Sequence, residues 1–165
     1  MSIPYQGYAN DTITNYPLIF NQLSATIPSS GNGQSQSLSR KLLLFVSDGM
    51  EDAAISTCAQ PLLSGPRCQA PIDASLCDNL KSRGITIAAI YTTYLPIPSN
   101  DWYVNTVAPF NQGPFSPSPN SKVAQAMKAC ASTGYYQEVG PTDSIAATLN
   151  LLFNQFVRQS ARITG

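Results

Sequence analysis

Histidine is missing altogether from the 165-residue sequence. With it go the commonest general base, the Ser-His and Cys-His pairs of nucleophilic catalysis, and most transition-metal sites. Charge is scarce as well, at 11% of residues with a formal net charge of zero, so the chain lacks the basic face that nucleic acid requires. No apolar run reaches the roughly 18 residues of a membrane span. No charged-then-apolar signal opens the chain, so an export address would lie on a segment outside it. A Cys-x-x-Cys pair is also lacking, and a zinc site built from the dispersed cysteines would have awkward spacing.

What the sequence does have is uncharged polarity. Thirteen prolines stand among many Ser, Asn, Gln and Thr residues, a composition that suits a compartment outside the cytoplasm. The length suits one domain spanning 1–165, with an arm and helix over 1–30 ahead of the remainder. The cysteines are Cys58, Cys68, Cys77 and Cys130, an even set that favours two disulfides. Three pairings are open. The Pro- and Gly-containing stretch "CAQPLLSGPRC" favours Cys58–Cys68, and Cys77–Cys130 would join two predicted helices. Chain entropy assigns the short loop about 3 kcal/mol and the long one about 4 kcal/mol.

Residues 1–15 show no period and read as an irregular arm. A helix begins near Asn15, with Pro17 in its first turn and Phe20, Leu23 and Ile27 on one face. "PSSGNGQSQSLSR" is a loop by composition. Leu42–Ser47 is a strand whose unbroken apolar run predicts burial on both faces of a parallel sheet covered by helices, with a neighbour on both sides, of which Ile85–Tyr91 supplies only one. "PIDASLCDNLKSRG" predicts a helix capped by Asp73 and stopped by Gly84. A strand over Ile85–Tyr91 comes next, then a long segment rich in proline and aromatics from Thr92 to Asn120. "SKVAQAMKAC" is a short helix with Val123, Met127 and Cys130 on one side, and "GYYQEV" a short strand. From about Thr142 the residues Ile145, Leu149, Leu152, Phe153 and Phe156 mark an amphipathic helix, with Arg158 and Arg162 suiting its C-terminal dipole.

This alternation predicts an α/β fold of three layers, a parallel sheet with helices on both faces. Ligands of such sheets bind beyond the carboxyl ends of the strands. Asp48 ends the first strand there, and Thr92 and Thr93 come directly after the next, with Trp102 and Tyr103 in the aromatic segment beyond. These four, Thr92, Thr93, Trp102 and Tyr103, are the candidate partner-binding residues. Asp48 itself has two readings, a ligand or the first residue of an Asp-Gly turn whose carboxylate caps the adjoining segment. Glu51-Asp52 reads as a solvated or capping acidic cluster rather than a catalytic dyad.

Four stretches in order, "FVSDGMED", "CQAPIDASLCDNLKSRGITIAAIYTTYLPI", "KACASTGYYQEV" and the terminal "QSARITG", resemble the C-terminal half of TadG-like proteins. These are von Willebrand factor A-like proteins of bacterial tight-adherence (Tad/Flp) pilus systems. The resemblance covers about Gly31 to the C-terminus, so that 31–165 corresponds to the back half of a von Willebrand A-like, or Rossmann-like, domain. It implies that Cys77 and Cys130 pair. It also implies a divalent cation, Mg²⁺ or Ca²⁺, at the top of the sheet, with Asp48 as the carboxylate ligand and Ser35 as a loop hydroxyl. The Asp-x-Ser-x-Ser motif that supplies most of such a site is not found before Gly31, and Asp11-Thr12-Ile13-Thr14 has the wrong spacing. One carboxylate and one hydroxyl cannot hold a cation that wants about six oxygens, so no cofactor is expected unless another segment completes the site.

The resemblance implies a non-catalytic adhesion or assembly module. It would bind protein outside the cytoplasm: a pilus or cell-surface component, a missing N-terminal half, or a second copy of itself. "LLLFVSDGMEDA" also loosely resembles the first strand of class I glutamine amidotransferase-like domains, which makes a cysteine hydrolase the alternative. That chemistry needs a nucleophilic cysteine at a tight strand-to-helix turn with a base beside it. Here two cysteines fall in a loop and Cys77 inside a predicted helix, and no histidine is present to activate them. A ligand-free structural fragment is the third expectation.

Overall fold

The computed structural model describes residues 14–53 and 68–163. The arm before Thr14 and the loop holding Cys58 lie outside those residues. Helix α1, Tyr16–Thr26, starts where Asn15 accepts a hydrogen bond from the Leu18 N–H through its side chain, with proline in the first turn. Strand β1 is Leu42–Ser47 and β2 is Met50–Ala53. Strand β3, Cys68–Pro71, leads into a 3₁₀ turn at Ala74–Cys77 and then α2, Asp78–Ser82. Strand β4 is Thr86–Thr92, α3 is Lys122–Cys130, β5 is Tyr136–Val139 and α4 is Ile145–Ile163.

The fold is α/β. A three-stranded parallel sheet runs in the order β1–β4–β5, and β2 and β3 form a separate antiparallel ribbon. The strands alternate their side chains between two cores, as the pleat requires. Ile87, Ala89 and Tyr91 of β4 enter the larger one, with residues from α1, the 3₁₀ turn, α2 and α3. Ala88 and Ile90 enter the smaller one on the opposite face, under Leu152 of α4. The sheet is therefore the middle of three layers.

The Leu42–Ser47 strand lies at the edge of the sheet, paired with β4 alone among the described residues, as the single supplied neighbour implies. Three expectations are corrected, beginning with that strand's burial on both faces. Its burial alternates, leaving Leu44 and Val46 each 41% exposed, because α4 centres on β4 and reaches β1 only in part, at Leu42. The predicted helix over Pro71–Gly84 is a strand end, a 3₁₀ turn capped by Asp73, and barely more than one α-helical turn. Gly84, at φ +74°, does stop it. Glu51 and Asp52 belong to a strand, and Glu51 is only 3% exposed, so it is not a solvated charge.

The disulfide between Cys77 and Cys130 ties the 3₁₀ turn to the end of α3, with Cα atoms 5.2 Å apart and both residues fully buried. The side chain of Cys68 is outside the described residues, as is Cys58, and so the predicted pairing of those two lies outside them too.

Candidate site at the carboxyl edge of the sheet

The chain leaves β1 through a turn that only a few residue types could make. Gly49 has φ +74°, a left-handed conformation that glycine adopts without penalty. α3 packs directly on this turn. The Asp48 carboxylate accepts the Met50 N–H at 3.1 Å, which folds the side chain back onto its own turn. Ser47 Oγ accepts the Gly49 N–H at 3.1 Å and lies 2.5 Å from the Tyr16 hydroxyl. Desolvation pushes the Asp48 carboxyl above its ordinary value although the residue is exposed on one side, and N–H groups of the turn offset part of the rise. Burial pushes the Tyr16 phenol up to about 12, and the carboxylates of Asp48 and Glu51 add to the rise.

Glu51 lies beside this turn. Its carboxyl is pushed up by burial first and by the nearby Asp73 charge, against a hydrogen bond from the Tyr16 backbone N–H. Among the described residues, its Oε1 has no hydrogen-bond partner.

Beyond β4 the chain forms a polar and aromatic cluster. Tyr94 donates its N–H to the Tyr91 hydroxyl at 3.1 Å, and the rings of Tyr94 and Tyr103 stack with centroids 6.0 Å apart. The Asn111 side-chain amide donates to the Tyr94 carbonyl at 2.8 Å and the Tyr103 hydroxyl at 3.1 Å, while its oxygen accepts from Ser121 Oγ at 3.2 Å. Tyr103 opens a short π-helical stretch, Tyr103–Val107, and Asn100 caps it through the Tyr103 N–H at 2.9 Å. Burial raises the phenols of Tyr91 and Tyr136 and brings that of Tyr94 to about 12. Tyr136 donates to Glu138 at 3.0 Å, and Glu138 also accepts the Ser118 N–H at 2.8 Å. Ser116, Pro117, Tyr136, Gln137 and Glu138 line a shallow, open depression at this edge.

The residues singled out from sequence are thus distributed unevenly. Asp48, Thr92 and Thr93 share the carboxyl edge, where the Thr93 N–H joins the Val139 carbonyl at 3.0 Å. Ser35 does not. It caps a 3₁₀ turn at Gln36–Leu38, in a loop pinned by the Gly31–Ser39 and Lys41–Ser30 hydrogen bonds to the start of β1. The full strand, about 20 Å at 3.3 Å per residue, separates that loop from Asp48. Asp48 and Ser35 therefore do not form a cation site, and among the described residues no group of three or more acidic, Cys or His side chains does so either. Tyr103 is buried in the core and Trp102 packs against it half-buried, so Tyr103 is not a surface for partners. The side chains that do project from this segment are Leu95, Ile97 and Val104. Pro96 and Pro98 flank Ile97 and read only as loop, which is why Leu95 and Ile97 carried no signal. Compared with known proteins, the chain matches no family model, no curated protein and no solved structure.

Proposed function

We propose that this chain is a non-catalytic adhesion or assembly module of a Tad-type pilus system, working outside the cytoplasm by holding protein partners. The observation that carries the proposal is the way the carboxyl-edge loop presents apolar side chains. Leu95, Ile97 and Val104 are each more than two-fifths exposed, next to a stacked and hydrogen-bonded Tyr94–Tyr103–Asn111 core. Backbone bonds from Asn100 to Ile97 and from Val104 to Asn100 hold this part of the loop in one conformation. A rigid apolar projection loses little entropy on binding, which favours a protein ligand over a small molecule. The buried Cys77–Cys130 disulfide supports an oxidising compartment. Asp48 would serve a divalent cation only with oxygens brought by another segment, such as a missing N-terminal half.

The test is genetic and structural together. In a host that encodes the chain beside pilus genes, its deletion should reduce surface pili or adherence, and the wild-type gene should restore them. A Leu95→Ser, Ile97→Ser, Val104→Ser variant that folds normally by circular dichroism should not restore them. Normal piliation and adherence after deletion would refute the proposal.

A further inference from the structure

The outer edge of β1 has no described neighbour, and nothing on the strand protects it. Edge strands are ordinarily blunted by proline, bulges or charge, whereas Leu42–Ser47 reads "LLLFVS". The face beside that edge is apolar as well. Leu44 and Val46 stand on the α4 side, each about two-fifths exposed. α4 leans on the segment before β5 through Gln155 to the Gly134 carbonyl and the Tyr135 hydroxyl to Gln159, at 3.1 and 2.8 Å. Its other flank meets Arg40 through Phe156 and Ser160. Phe153 and Val157 lie three residues before these two, hence on the same flank, and both are exposed. On the opposite face Phe45 packs edge-on against Tyr16 and Phe20 yet stays only partly covered, so α1 stops short of the strand edge.

We infer that two copies of this chain pair along the open edges of β1, antiparallel and in the register that centres on Leu44. The choice of occupant rests on the charges that flank the strand. The segment reads "RKLLLFVSD" from Arg40 to Asp48, basic at one end, acidic at the other and uncharged between. Antiparallel self-pairing about Leu44 sets Leu44 against Leu44, Leu42 against Val46, and Leu43 against Phe45 of the other copy. The same register brings Arg40 of each copy opposite Asp48 of the other, an attractive pair at both ends of the ladder. One two-fold axis then satisfies the edge backbone groups that have no described partner, flanks the apolar face and matches the charges. The result is a continuous sheet of both copies, with Phe153 and Val157 of each turned toward the seam. The pairing stands apart from the pilus role, since either can fail while the other holds.

The full 165-residue chain is tested by sedimentation equilibrium and by register-specific cross-linking. The wild type should dimerise reversibly in the micromolar range. Leu44→Cys should give a covalent dimer on oxidation, since directly opposed residues of such a ladder are about 4.5–5.5 Å apart and a disulfide tolerates about 4.4–6.8 Å. Val46→Cys, which faces Leu42, should not. Arg40→Asp and Asp48→Arg should each weaken the dimer about tenfold by opposing like charges at both ends, and the double reversal should recover it. The charge variants leave the apolar strand intact and serve as the measure if a cysteine variant fails to fold, with circular dichroism showing that they fold despite the contacts Arg40 makes to α4 and Asp48 to its own turn. A chain that stays monomeric at hundreds of micromolar would overturn the inference. So would Val46→Cys cross-linking as readily as Leu44→Cys, or a double reversal no tighter than either single change.

Discussion

A Cβ placed on Gly49 would stand 2.7 Å from Cγ of Met127 and 2.8 Å from Cγ1 of Val123. The turn after β1 and the middle of α3 are therefore fitted to each other with no room for a methyl group. Gly49→Ala must meet that contact and also hold a left-handed backbone at φ +74°. Its cost should be about 2–4 kcal/mol from backbone strain and overpacking combined. Urea denaturation of the purified chain measures it directly.

Glu51 provides a pH test. Its folded-state carboxyl lies above the ordinary value because of burial and Asp73, so the folded chain holds a proton that the unfolded chain releases. Stability is then greatest below the unfolded value, about 4.3, and falls as pH rises toward the folded one. Glu51→Gln should flatten that decline and raise the melting temperature at pH 7 relative to wild type. Asp48 is shifted in the same direction by burial. Identical pH–stability curves for wild type and Glu51→Gln would contradict the assignment.

Asn111 bridges Tyr94, Tyr103 and Ser121 from inside the loop. Asn111→Leu leaves buried groups of all three without that amide, at a cost of about 1–3 kcal/mol. Hydrogen exchange should quicken between Tyr94 and Val107 first, while β4 stays protected.

The Cys77–Cys130 bridge closes a sequence separation of 53 residues. Replacing both cysteines with alanine should cost about 4 kcal/mol in the chain-entropy account. Both are fully buried, so thiol reagents should leave this bridge untouched until the chain unfolds. Peptide mapping without reduction should recover Cys77 linked to Cys130.

The local pattern was enough for most elements. Pro17 and Phe20 announce α1, the run from Leu42 announces β1, and the spacing of Ile145, Leu149, Leu152 and Phe156 announces α4. Gly84 ends α2 as its backbone freedom predicts. These signals are legible because each depends on residues close in the chain, which caps and periodicity govern directly. The α/β class with a parallel sheet comes from their order.

Partnership across the fold was not legible in that way. An unbroken apolar run says that a strand can be buried, not which neighbours exist to bury it, and Leu44 and Val46 stay partly exposed because α4 centres on β4. Glu51 looks like surface in a run of polar residues, yet the pairing of β2 with β3 takes it inside. Ser35 and Asp48 are close in sequence and at opposite ends of a strand in space. Tyr103 and Leu95 exchange the roles their composition suggests, the phenol drawn into the core by Asn111 and the aliphatic chain left outside. Local sequence thus determined the elements and their order. Tertiary packing decided which faces and ends meet, because burial and ligand geometry depend on contacts between segments far apart in the chain.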